Sequence, residues 1–68
     1  MDDLDTIQRR LEAVAELAAQ EGWRAGLEPT QVRWVVQAGK TALVREGSAW
    51  RAIQIAHDYA VRLAARAA

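Results

Sequence analysis

Apolar residues recur along this chain at intervals of three and four positions, which is the spacing of one face of an α-helix. The repeat is interrupted at five positions that favour turns: Gly22, Gly26, Pro29, Gly47 and Ser48. These interruptions separate three segments of similar length. The pattern therefore predicts three helices, at about residues 4–21, 29–46 and 49–67.

The first segment carries one apolar stripe, formed by Leu4, Ile7, Leu11, Val14, Ala15 and Ala18. We expect this stripe to face the core. Gly22 follows the stripe, where a glycine can adopt the left-handed conformation that ends many helices. Such an end would let Trp23 fold back onto Leu17 or Ala18, so the sequence assigns Trp23 a packing role.

The second segment begins at Pro29, which is favoured in a first helical turn because its missing N–H needs no partner there. Its helical arc holds Val32, Val35, Val36, Gly39, Ala42 and Leu43. The alternative is a β-hairpin, since residues 32–36 are rich in β-formers and residues 38–40 can turn. Strict alternation fails, however, because Val35 and Val36 are both apolar, so a helix is favoured.

The third segment carries an alanine at every fourth position: Ala52, Ala56, Ala60, Ala64 and Ala68. Ser48 precedes this helix and is expected to cap it. A ridge of methyl groups lets another helix approach closely, and we expect Gly39 of the second helix to meet it. The sequence predicts an all-α fold, a small three-helix bundle with up-down-up order. The alternative is a long helical hairpin with a third helix that dimerises into a larger bundle.

The chain has 68 residues, enough for one domain, and a domain this small buries only about 60% of its unfolded surface. It has no cysteine and one histidine, so neither disulfides nor a bound metal is expected to stabilise the fold. Oligomerisation or a permanent partner is therefore the favoured source of buried area, and we expect a homo-oligomer. Acids near the N-terminus and the absence of a long apolar run predict a cytoplasmic protein without a membrane segment.

The formal charge is zero overall, but it is unevenly distributed. Residues 1–28 carry seven acids and three bases, a net charge of −4, whereas residues 29–68 carry six bases and two acids, a net charge of +4. A chain with this asymmetry can bind nucleic acid through its basic half or pair head to tail with a copy of itself. Neutralisation within one folded chain explains the same pattern equally well.

Residues 37–41, QAGKT, have the ending of a phosphate-binding P-loop. That motif needs a second glycine five positions before Gly39, where this chain has Trp34, so nucleotide binding is not expected. His57 lacks neighbouring ligands for a metal, and Ser48 occupies a capping position without a neighbouring base. The sequence accordingly predicts no catalytic, cofactor-binding or metal-binding residues, and no enzyme.

Three large apolar residues fall outside or at the margin of the predicted buried arcs: Trp34, Trp50 and Ile55. Tryptophan beside arginine is typical of the residues that dominate protein interfaces. We therefore predict a partner-binding surface composed of Trp34, Trp50, Ile55, Arg51, Arg62 and Arg66. The alternative is a bundle with a wider buried arc, which covers Trp34 and Trp50 without any partner.

These features predict a small protein-binding module without enzymatic activity: an adaptor, co-chaperone or regulator that associates with itself or with another protein. Residues 11–31 and 40–47 are similar in general helical patterning to helical hairpin co-chaperones of bacterial type III secretion, but they carry no diagnostic motif, and the chain is not assigned to that family. A nucleic-acid-binding regulator that uses the basic C-terminal half is the alternative. Helix-turn-helix patterning argues against it, because aligning Gly39 with the turn puts Lys40 and Arg45 at positions that should be apolar.

Overall fold

The computed structural model describes residues 4–67, which form three α-helices. Helix α1 spans Leu4–Arg24, α2 spans Pro29–Glu46 and α3 spans Ala49–Ala67. The predicted all-α three-helix bundle is confirmed. The β-hairpin alternative is wrong, because the described part of the chain contains no strand. The last alanine of the predicted ridge, Ala68, lies outside the described residues.

The helices run up, down and up, so that α1 and α3 are parallel and α2 is antiparallel to both. Gly22 near the end of α1 lies against Val32 near the start of α2. Arg10 in the first half of α1 donates a hydrogen bond of 3.0 Å from Nη2 to the carbonyl of Gly47, just after α2. We name the two ends of the bundle by their connections: the loop end holds residues 25–28, and the turn end holds the connection between α2 and α3.

Helix α1 ends three residues later than predicted, at Arg24, because Gly22 does not terminate it. Gly26 takes the left-handed conformation instead, with a φ of 81°. The N–H of Gly26 donates to the carbonyl of Trp23 at 3.0 Å, and the N–H of Leu27 donates to the carbonyl of Gly22 at 3.1 Å. These two bonds form a Schellman motif, which satisfies carbonyls that the end of a helix leaves free.

Gly22 has a packing role inside α1. It is buried, and a Cβ at this position would lie 3.0 Å from Cγ2 of Val32, which is tighter than nine in ten real Cβ contacts. The two helices therefore approach so closely that a side chain at this position would displace Val32. Trp23 remains on the helix with 54% of its surface exposed. The prediction that Trp23 folds back onto Leu17 or Ala18 is wrong.

The connection between α2 and α3 is as tight as predicted. Gly47 ends α2 in the left-handed conformation, with a φ of 73°, and its N–H donates to the carbonyl of Leu43 at 2.8 Å. Ser48 caps α3, since its Oγ accepts a hydrogen bond of 3.2 Å from the N–H of Arg51. Pro29 occupies the first turn of α2, as predicted.

The core combines alanines and valines with three buried leucines. Among the described residues, the largest fully buried side chains are those of two valines, Val14 and Val35. Ala18, Ala52 and Ala56 are also completely buried. Because these side chains are short, the three backbones pack close together, and the bundle gains many contacts from little side-chain volume.

Gly39 lies where the three helices come closest. A Cβ at this position would lie 3.1 Å from Cβ of Ala18, 3.4 Å from Cγ1 of Val14 and 3.5 Å from Cβ of Ala56. The predicted contact with the methyl ridge of α3 is confirmed through Ala56, although the tightest neighbours belong to α1. Gly39 therefore serves close packing, which offsets a cost of about 1 kcal/mol in helix propensity.

Candidate interaction surfaces

Several large apolar side chains of this protein lie on its surface. Eight of those described are exposed: Leu4, Ile7, Leu17, Trp23, Trp34, Val44, Trp50 and Val61. Each tryptophan exposes half of its area or more, so the alternative in which a wider arc covers Trp34 and Trp50 is wrong. Exposed apolar area of this kind is typical of interaction surfaces when it is clustered.

Trp34 lies beside a shallow, open groove between α2 and α3. The groove is lined by Trp34, Gln37, Ala38, Thr41 and Tyr59. The buried core consists of two clusters, one towards the loop end, which includes Val35 and Leu63, and one towards the turn end, which includes Val14 and Leu43. Tyr59 is partly buried and packs against the core cluster of the loop end. On the opposite side of the groove, Gln37 donates a hydrogen bond of 3.2 Å from Nε2 to Oγ1 of Thr41. The groove therefore combines two aromatic rings with a polar edge.

Two arginines extend this surface towards the loop end. Arg62 and Arg66 line a second depression with Tyr59, Leu63 and Ala65. Both arginines are exposed, and because they are four residues apart they project from the same side of α3. Within residues 4–67, no carboxylate lies within 4.0 Å of either guanidinium. We call this surface the α2/α3 face and define it by Trp34, Ala38, Tyr59, Arg62 and Arg66.

Arg51 and Ile55, two more of the predicted partner-binding residues, lie on the same side of α3 as Tyr59. These three residues follow one another at intervals of four positions, which places them on one side of a helix. Ile55 is partly buried and packs against the core cluster of the turn end. Ile55, which the sequence places outside or at the margin of the buried arc, is therefore partly covered within the bundle itself. Arg51 is exposed, and its Nε lies 3.7 Å from Oε1 of Glu46. This pairing reduces the charge that Arg51 contributes to the α2/α3 face.

Trp50 lies on a different surface. Trp50 is at the turn end. Because successive residues of a helix are rotated by about 100°, Trp50 points about 100° away from Arg51. Tyr59, which shares the groove with Trp34, is nine positions or about 14 Å further along α3. The six predicted partner-binding residues therefore belong to two surfaces instead of one.

The turn end carries the most exposed apolar side chains of the described residues. Leu4 is 82% exposed, Val44 is 73% exposed and Trp50 is 69% exposed. Ile7 is 52% exposed and lines a groove with Val44. Sequence reasoning missed this surface, because periodicity places Leu4 and Ile7 on the core-facing stripe and does not show where the neighbouring helices end.

The P-loop-like segment 37–41 and His57 both lie in regular helices of the bundle. Residues 37–41 lie within α2, so their N–H groups are held by the helix and cannot wrap a phosphate. His57 is exposed, and its Nδ1 lies 2.7 Å from Oε1 of Glu21, which links α3 to α1. Within residues 4–67, no three His, Asp or Glu side chains are grouped so that they could hold a metal ion. None of the three helices, over the residues described, is long and apolar enough to cross a membrane.

No protein-family model matches the chain, and no significant similarity is found to curated proteins or to solved structures. The function is therefore inferred from the surfaces of the molecule itself. The α2/α3 face and the turn end lie at different positions along the bundle, so each can bind a partner of its own.

Proposed function

We propose that this protein is a non-enzymatic helical module that binds another protein through its α2/α3 face, as an adaptor, co-chaperone or regulator. One observation carries the proposal. Trp34 is half exposed beside Tyr59 in an open groove, with Arg62 and Arg66 at its edge. Tryptophan, tyrosine and arginine are the residues most enriched at the energetic centres of protein interfaces.

The aromatic residues of the α2/α3 face are carried by regular helices. Trp34 projects from the second turn of α2 with half of its area exposed, and Tyr59 of α3 packs against the core, so the backbone that holds both rings is already formed. A pre-formed backbone lowers the entropy cost of binding. Covering the exposed half of Trp34 removes on the order of 100 Å² from water, which is worth about 3 kcal/mol.

The charge of the α2/α3 face favours an acidic partner. Arg51 already pairs with Glu46, whereas Arg62 and Arg66 have no ion pair within the described residues. Carboxylates of a partner can accept two parallel hydrogen bonds from each guanidinium. An amphipathic helix laid in the groove would supply both an apolar anchor and acids at helical spacing. We therefore propose a partner segment that has an apolar residue flanked by Asp or Glu.

Photocrosslinking from the groove tests this proposal. A photoreactive amino acid replaces Trp34 in the full chain, expressed in its native host, and a control chain carries the same group at Gln20, an exposed position of α1. We expect position 34 to crosslink to a discrete protein that position 20 does not reach. Mass spectrometry of the crosslinked product identifies the protein and the attached segment, which is expected to be acidic.

Affinity for the identified protein then tests the role of the face. Trp34→Ala and Arg62→Glu are each expected to weaken binding by about tenfold or more. Trp23→Ala is the matched control, because Trp23 has similar exposure but lies on α1, and its affinity is expected to change by less than about twofold. Circular dichroism checks that each variant keeps its helix content. If position 34 crosslinks no protein, or the two alanine variants lose affinity equally, the proposal is wrong.

A nucleic-acid-binding regulator is the second candidate, because bases can stack on aromatic rings that have arginines beside them. The fold gives this candidate less support, since α2 and α3 lie side by side, whereas the helices of a helix-turn-helix cross at about 90–120°. Anisotropy of labelled DNA and RNA at about 50 mM and about 200 mM salt distinguishes the two candidates. Binding that weakens steeply with salt and is lost in Arg62→Glu would favour nucleic acid.

A further inference from the structure

The apolar stripe of α1 continues beyond the body of the bundle. Leu11 packs against the core cluster of the turn end, which includes Leu43 of α2. One turn earlier on α1, Ile7 lies beside Val44 in the last turn of α2. One further turn earlier is Leu4, and at that level the antiparallel α2 has already ended. Leu4 therefore has no neighbouring helix to pack against among the described residues.

The first two turns of α1 form an exposed projection. Every residue from 4 to 10 is exposed, and we call this segment the overhang. Leu4 and Ile7 lie on one side of the overhang, three residues apart. Beside the overhang lies the corner, by which we mean residues 44–50 around the connection between α2 and α3, and it exposes Val44 and Trp50. The turn end thus presents a projecting apolar ridge and two exposed apolar side chains of the corner.

We propose that a second copy of this chain covers the turn end, with the overhang of each copy packed on the corner of the other. Each copy supplies one overhang and one corner at the same end of the molecule, so a two-fold axis pairs both at once and the assembly closes at two copies. Leu4 and Ile7 of one protomer then cover Val44 and Trp50 of its partner. The proposal is independent of the α2/α3 face, which stays free in this dimer.

The exposed area is sufficient for such a contact. The four apolar side chains expose on the order of 500 Å² in each copy, so a pair buries on the order of 1,000 Å², the lower bound for specific interfaces. A domain of 68 residues without cysteine also gains most from added buried area. A foreign partner would have to match two elements, whereas a second copy already supplies an apolar overhang and an apolar corner.

The charges around the turn end are compatible with self-association. A surface that contacts itself needs both signs of charge, because a patch of one sign would repel its copy. The overhang carries Asp5 and Arg9, and the corner carries Arg45 and Glu46. A two-fold arrangement can therefore place acids of one copy near bases of the other at the rim.

Sedimentation velocity of the full chain, from low to high micromolar concentration, tests the proposal. The mass is expected to rise from 7.5 kDa towards twice that value. Val44→Glu places a charge in the contact and is expected to weaken dimerisation by about tenfold or more. Val61→Glu is the matched control, because Val61 is an exposed valine of α3 away from the turn end, and its dimerisation is expected to match the wild type.

Cysteine crosslinking gives a second measurement that does not depend on weakening the dimer. The natural chain has no cysteine, so single introduced cysteines report contacts directly. Leu4→Cys mixed with Val44→Cys is expected to form a disulfide between copies under mild oxidation, whereas Val61→Cys mixed with Leu4→Cys is not. A mass of 7.5 kDa at every concentration, equal weakening by the two glutamate variants, or no disulfide between positions 4 and 44 overturns the proposal. A monomer would leave the turn end to a different protein.

Discussion

The middle of the bundle and its turn end distribute their apolar side chains in opposite ways. In the middle, Gly39, Ala18 and Ala56 let three helices meet, and the alanines are completely buried. At the turn end, Val44 and Trp50 expose more than two thirds of their area. Small residues therefore fill the middle of the bundle, whereas large apolar residues of the turn end remain exposed.

This contrast separates what stabilises the fold from what is available for binding. Close approach of the backbones stabilises the middle through many short van der Waals contacts, although each alanine buries little apolar area. The tryptophans lie outside the core and leave half of their area or more exposed. A bundle of this kind is expected to tolerate substitution at its surfaces and to be sensitive to added volume at its centre.

Adding volume at the centre is expected to have the largest effect on stability. Gly39→Leu introduces a branched side chain where even a Cβ would lie 3.1 Å from Cβ of Ala18. We expect a loss of about 3 kcal/mol, despite a gain of about 1 kcal/mol in helix propensity. Urea denaturation followed by circular dichroism measures the loss. Thr41→Leu, exposed on the same helix, serves as control and is expected to stay within about 0.5 kcal/mol. Equal stability of both variants would mean that the middle is not tightly packed.

A matched pair of valines on α2 compares the two regions directly. Val35 is fully buried, whereas Val44 is 73% exposed. Val35→Ala removes two buried methyl groups and leaves a cavity, so we expect a loss of about 2 kcal/mol. Val44→Ala is expected to change stability by less than about 0.5 kcal/mol, since alanine favours the helix. Denaturation at low protein concentration keeps self-association out of this measurement. If the two substitutions cost the same, the contrast between the regions is wrong.

Helical periodicity and turn residues were sufficient to predict most of the fold. Helices α2 and α3 have the predicted bounds, because a proline, a left-handed glycine and a capping serine mark their ends in the sequence. The end of α1 was not predictable in the same way. Gly22 and Gly26 both follow the apolar stripe, and only the distance from Gly22 to Val32 shows that Gly22 packs while Gly26 turns.

The sequence indicated several residues of the candidate surfaces, but it did not indicate which of them lie together on one surface. Trp34 lies outside the buried arc of α2, so its exposure follows from helical geometry. Ile55 and Trp50 sit at the flanks of α3, where burial depends on which neighbouring helix each flank meets. Leu4 and Ile7 fit a buried stripe by sequence. Their exposure depends on where α2 ends relative to α1, which is a tertiary property.

The smallest of the three stability effects is expected at the turn end, where the cap of α3 is expected to contribute more to stability than side-chain packing. Ser48→Ala removes the hydrogen bond from the N–H of Arg51 to Oγ and should cost about 1 kcal/mol. Ser48→Asp keeps an acceptor at the same position and adds a charge that suits the start of a helix, so its stability is expected to match the wild type. Both are measured by urea denaturation at low protein concentration. Equal losses in Ser48→Ala and Ser48→Asp would contradict the capping role, because aspartate keeps the acceptor and only the packing of the serine is changed.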